Sequence, residues 1–125
     1  MNLVRQAMKV VATRGHAKFT SQDELGQCCV SGAVAQVHFG DPWGWRQHYR
    51  VGWSSDDYTQ DPKVAPMIEA LRIIGDVAEE QFPERTQAGG SRTDKAIVFN
   101  NDFRTTKEDV LLVMDKAAVR LDEAI

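Results

Sequence analysis

The stretch Gly26-Gln27-Cys28-Cys29-Val30-Ser31-Gly32-Ala33-Val34-Ala35-Gln36-Val37 constrains the fold of this chain more than any other. At helical spacing, Cys29, Val30, Ala33, Val34 and Val37 share one apolar face, while Cys28, Ser31, Gly32 and Ala35 form a neighbouring face of small residues. A helix with such a second face has few side-chain atoms to hold a neighbour away. The stretch therefore reads as the central packing helix, and it carries both cysteines of the protein.

Around it, 125 residues with 42% hydrophobic content suit one globular domain, 1–125, whose core needs no metal or disulfide to close. Adjacent cysteines on a helix do not readily bridge to each other and have no other partner, which points to a reducing, cytoplasmic setting. The N-terminal apolar residues are broken by Arg5, Gln6 and Lys9, and no run approaches the roughly eighteen apolar residues of a membrane span. Neither a signal peptide nor an anchor is expected. The net charge of −3 argues against bulk attraction to nucleic acid or anionic lipid.

Three further helices follow from periodicity and caps. Leu3, Val4, Ala7, Met8, Val10 and Val11 recur at helical spacing between a capping Asn2 and a terminating Gly15. Residues His16 to Gln27 are polar and read as a loop with at most one helical turn. Asp61-Pro62 opens a long helix to Phe82, with Val64, Met67, Ile68, Leu71, Ile74, Ala78 and Phe82 inward and Pro83 as its stop. The last helix, about Thr106 to Ala124, turns Val110, Val113, Met114, Ala117 and Leu121 inward. Thr105 with Glu108, or Thr106 with Asp109, caps its first turn. Between these two, Arg85 to Lys95 reads as a mobile loop, Ala96-Ile97-Val98-Phe99 as a short buried strand, and Asn100-Asn101-Asp102 as a turn.

The segment from Trp43 to Tyr58 holds all three tryptophans and both tyrosines, just after the breaker Gly40-Asp41-Pro42. Its residues alternate. Trp45, Gln47, Tyr49, Val51 and Trp53 fall on one side of an extended strand or hairpin arm, and Arg46, His48 and Arg50 on the other. The fold class expected is thus mainly α, four principal helices around a small-residue helix with a short hairpin or two-stranded element. It becomes α+β if the strands from Trp45 and Ala96 pair.

Phe99-Asn100-Asn101 followed by Thr106, Val110-Leu111 and Met114-Asp115-Lys116-Ala117 resembles the closing signature of an uncharacterised family of actinobacteria and their phages. Cys29-x-x-Gly32-Ala33-Val34 is similar to that family's central Cys-x-x-Gly-Ala-Leu helix. Asn101 stands where the family commonly carries Asp, which weakens a carboxylate role there, and the Trp43–Tyr58 stretch has no counterpart in the signature. The resemblance implies a phage or actinobacterial context and no activity.

Three groups of residues bear candidate chemistry. Cys28 or Cys29 at a helix N-terminus, with His16, His38 or His48 as base and Asn100 or Asn101 as orienting group, would make a cysteine hydrolase or transferase. The plainer alternative is that both cysteines are core residues. Zinc is disfavoured because adjacent cysteines lack the usual gap between ligands, and no cofactor is called for. The Asn100-Asn101-Asp102 turn either orients a ligand or satisfies its own backbone.

The aromatic strip offers Trp43, Trp45, Arg46, His48, Tyr49, Arg50 and Trp53 either to a partner or to nucleotide bases. A protein partner fits better than nucleic acid because the domain is acidic and the basic strip short. The expected function is a non-enzymatic interaction protein, phage-encoded and acting on a bacterial host protein, without membrane attachment.

Overall fold

The computed structural model describes residues 1–123, and those residues form five α-helices and three short 3₁₀ turns. The helices are α1 (Leu3–Arg14), α2 (Val30–Phe39), α3 (Ala65–Gln81), α4 (Arg92–Asn101) and α5 (Lys107–Glu123). The chain is mainly α, as expected, but no β-strand occurs among the described residues; two isolated bridges join Cys28 to His16 and Gln22. The core is one cluster drawn from all five helices, with Phe99, Leu71, Ile74 and Met114 its largest fully buried side chains. Of the described helices, none is long and apolar enough to cross a membrane.

Local signals account for α1, α3 and α5. Asn2 caps α1 by accepting the Arg5 N–H at 2.9 Å, and Gly15 ends it at a positive φ of 99°. Every inward residue expected on α3 is buried except Phe82, which is half-buried. At the start of α5 the caps are reciprocal: Asp109 N donates to Thr106 Oγ1, and Thr106 N donates to Asp109 Oδ2, both at 3.1 Å. The expected end of this helix at Ala124 lies outside the described residues.

The central helix begins later than its apolar pattern suggests. Cys28 is held extended, donating its N–H to the Gly15 carbonyl at 3.1 Å and accepting from Ala17 N at 3.0 Å, so α2 starts only at Val30. Cys28 therefore lies outside the helix, and Cys29 becomes its N-cap. The small face does permit close approach, as expected. A Cβ on Gly32 would overlap the backbone carbonyl of Ser21, so the loop before α2 rests directly on helical backbone.

The fifth helix replaces the expected loop, strand and turn. Ser91 accepts the Asp94 N–H at 3.0 Å and caps α4, which then runs through Ala96–Phe99 to Asn101. Tertiary contact holds it. Gly75 of α3 lies so close to α4 that a Cβ there would overlap the Arg92 carbonyl, and Phe99 stacks on Phe82 with centroids 5.5 Å apart. Arg92 grips Asp76 through two nitrogens at 3.0 and 2.6 Å, and Lys95 pairs with Glu79. The α3–α4 pair forms one side of the molecule, and α1 packs between α2 and α5 on the other.

Candidate binding cleft

The Trp43–Tyr58 segment does not alternate as a strand. Gly44–His48 and Asp56–Gln60 are 3₁₀ turns, and Trp53 N bonds back to the Arg50 carbonyl at 3.2 Å. In turns of this kind residues three apart eclipse one another. Arg46 consequently lies on Trp43, its guanidinium 4.0 Å from the ring centroid, while the separate tight turn with Gly52 at φ 83° folds Trp53 back onto Arg50, whose guanidinium is 4.5 Å from the Trp53 centroid. Trp-x-x-Arg and Arg-x-x-Trp were the sequence signal for this arrangement, and the alternating pattern hid it.

Short-range bonds fix the segment. Asp41 Oδ1 accepts the Trp43 N–H at 2.9 Å, Asp57 Oδ2 accepts that of Ser54 at 2.8 Å, and Arg50 N donates to the Tyr58 hydroxyl at 2.6 Å. Trp53 meets Tyr58 edge-on at 5.1 Å, and His48 stacks on Phe39 at 5.3 Å. Arg72 of α3 pairs with Asp56 and ties the second turn to the helix. The aromatic residues divide by exposure. Trp43, Trp45 and Trp53 are half-buried, whereas Tyr49 is 64% and Val51 88% exposed.

Behind this segment lie two adjoining hollows, each of about 290 Å³. The first is walled by Trp45, Tyr49, Trp53 and Tyr58 on one side and by Met67, Ile68 and Leu71 of α3 on the other, with Thr93 and Ile97 of α4 completing it. Its lining contains no charged residue. Thr93 is 2% exposed, and its Oγ1 is buried without a hydrogen-bond partner. As the second residue of α4 it has no preceding helical turn whose carbonyl it could reach. A hydroxyl left so costs about 1–3 kcal/mol.

The second hollow shares Ser21, Ser31, Trp45 and Ile97 with the first and adds Trp43, Phe19, Cys29, Asn100 and Asn101. Phe19 is 81% exposed at φ 64°, a left-handed conformation unfavourable for a bulky residue. Asn101 Oδ1 holds it there by accepting the Phe19 N–H at 2.8 Å, and Lys18 Nζ donates to the Asp102 carbonyl at 2.6 Å. Phe19, Thr93 and Ile97 belong to the site although nothing local in the sequence marks them. Asn100 and Asn101 lie on α4, not in a turn.

The structure brings the backbones of His16 and Cys28 side by side and pairs His16 with Asn100, but the thiols themselves are engaged otherwise. Cys28 is fully buried, and burial pushes its thiol pKa up. The Cys29 sulfur caps α2, accepting the Gly32 N–H at 3.2 Å and lying 3.0 Å from Ser31 Oγ. His16 Nε2 bonds Asn100 Oδ1 at 2.9 Å, His38 Nε2 lies 2.7 Å from the Lys63 carbonyl, and His48 covers Phe39. No hydrogen bond joins either thiol to a histidine among the described residues. Nor do three or more His, Cys, Asp or Glu side chains among them converge in a way that would hold a metal ion.

No curated protein and no solved structure matches the chain. A family model does, over residues 2–120, nearly the whole of the chain in which the cleft is built. The chain belongs to that family, DUF6197, a family of unknown function.

Proposed function

We propose that this chain is a non-enzymatic interaction protein that engages a protein partner through the outer rim of the cleft, formed by Trp43, Trp45, Arg46, His48, Tyr49, Arg50 and Trp53. The observation that carries the reading is the stacking of Arg46 on Trp43 and of Arg50 on Trp53, with Tyr49 and Val51 of the same segment exposed. Stacked arginines lose little freedom on binding, and Trp, Tyr and Arg are the residues that anchor protein interfaces. Nucleic acid fits less well, because the basic strip is short and the net charge of the chain is −3. A cysteine-dependent reaction is the weaker reading: His16 does bond Asn100, the orienting pair such a site needs, but neither thiol bonds a histidine among the described residues and Cys29 is occupied as a cap. From the resemblance, the setting is the cytoplasm of an actinobacterium, with a host protein as partner if the gene is a phage's.

The test uses the chain as bait in host-cell lysate, in three forms: wild type, Tyr49→Ala with Val51→Asp, and Val119→Asp on the exposed face of α5. A protein retained by the wild type and by the α5 variant but lost from the rim variant supports the reading. Equal retention by all three overturns it.

A further inference from the structure

We infer that the second hollow, at the N-terminus of α2, is a binding site for a small monoanionic carboxylate carried on one aromatic ring. The inference goes beyond the partner reading and does not depend on it, because its polar contacts come from Ser21, Ser31 and Asn101, none of which belongs to the rim.

The carboxylate follows from which hydrogen-bonding groups on this hollow are spent and which are free. The amide oxygens are spent. Asn100 Oδ1 accepts from Val30 N and His16, and Asn101 Oδ1 accepts from Phe19 N at 2.8 Å and from Asn100 Nδ2 at 3.0 Å. These bonds fix the orientation of both amides. They leave Asn101 Nδ2 a donor without a partner among the described residues.

Helix α2 adds a donor of its own. In its first turn Val30 N donates to Asn100, Gly32 N to Cys29 Sγ and Ala33 N to the Cys29 carbonyl, whereas Ser31 N has no partner among the described residues. Ser31 lies on the wall of the hollow, and the positive end of the helix favours a negative charge beside it. Ser21, from a different segment, points the same way. Only 6% exposed, it lines both hollows, and its hydroxyl makes no hydrogen bond among the described residues. Its oxygen is not sealed off as Thr93 Oγ1 is, so the little surface the residue keeps opens onto the hollows. Two free N–H groups and a free hydroxyl around one space call for a group rich in acceptor lone pairs.

Charge and size narrow the ligand further. Among the described residues no Asp or Glu lines the hollow to repel an anion, and no Lys, Arg or His to balance a second negative charge, which selects a monoanion over a dianion. About 290 Å³ admits one ring on a short arm, and Phe19, Trp43 and Trp45 offer it aromatic surface.

The test is a titration of the intact chain with phenylacetate, and in parallel with its neutral counterpart phenylacetamide, followed by backbone and side-chain N–H chemical shifts. Phenylacetate saturates one site, with the largest shifts at the Ser31 amide, the Asn101 side chain and the Trp43 and Trp45 indoles. Phenylacetamide binds roughly tenfold more weakly or worse. Ser21→Ala removes the free hydroxyl while leaving the residue-21 carbonyl on Gly32, and weakens phenylacetate roughly tenfold. Asn101→Asp keeps the acceptor that holds Phe19 but sets a like charge beside the ligand, which abolishes saturable binding. Non-saturating shifts, shifts centred on Arg46 and Arg50, equal affinity for the two probes, or undiminished binding in either variant each overturn the inference. The partner experiment is read separately, since Ser21→Ala leaves the outer rim intact.

Discussion

Asn100, on the last turn of α4, accepts the N–H of Val30, the first residue of α2, through its Oδ1 at 3.0 Å, although the two stand 70 positions apart. The same oxygen accepts from His16 Nε2 at 2.9 Å, and the amide nitrogen donates to the Ala17 carbonyl at 3.1 Å. One buried side chain thus supplies what the N-terminus of α2 cannot find within its own helix. It also fixes the His16 tautomer, with the proton on Nε2, because the shared oxygen can only accept.

Asn100→Ala is expected to destabilise the fold by about 2–4 kcal/mol, since it strands a buried helix N–H, a ring nitrogen and a carbonyl together. Urea unfolding monitored by tryptophan fluorescence measures the loss. A cost below about 1 kcal/mol would mean that water or a backbone shift satisfies these groups instead.

Acid should weaken the fold before its carboxylates titrate. Burial, outweighing the bond to Asn100, holds His16 below the ordinary histidine value. The unfolded chain therefore binds more protons just below about pH 6.5, and the contribution, complete above that value, is lost as pH falls through the native pKa. Asp102, beside Arg104, and Asp109, beside Arg85, are held below the usual carboxylate range and act at still lower pH. Urea midpoints at about pH 7.5 and 5.5 should fall more for the wild type than for His16→Gln. An equal fall in both proteins would remove His16 from the account.

Glycine at 32 and 75 should be better than alanine, against the usual helical preference. Replacing an interior helical Gly by Ala normally gains up to about 1 kcal/mol, but here the new Cβ would overlap the carbonyl of Ser21 or of Arg92. Gly32→Ala and Gly75→Ala should each lose about 1–3 kcal/mol, with Gly75→Ala loosening the α3–α4 pair that backs the cleft. Thermal unfolding by circular dichroism decides the sign.

The two thiols should respond differently to substitution and alike to alkylation. Cys29→Ser preserves a capping acceptor for Gly32 N and should change stability little, whereas Cys29→Ala loses the cap at about 1 kcal/mol. Both sulfurs should resist iodoacetamide until the chain unfolds, since both cysteines are buried. Rapid labelling of Cys29 in the native state, located by mass spectrometry, would restore the case for a reactive thiol.

The sequence by itself determined α1, α3 and α5, because each carries its apolar period and its stop signals within its own residues: Asn2 and Gly15, Pro83, the Thr106–Asp109 pair. It also pointed to the Trp43–Tyr58 segment by composition, though alternation gave that segment the wrong geometry. Only the tertiary structure decided α4, whose buried positions Thr93, Ala96, Phe99 and Asn100 include two polar residues and so blur the helical pattern. Those positions become a buried face because Gly75 admits the helix backbone and because Asn100 finds partners 70 to 84 residues away. The same holds for the cleft. Periodicity reports which face of an element is apolar, but the meeting of Thr93 with Trp45 and Leu71 depends on how three distant elements pack, and no local pattern encodes that.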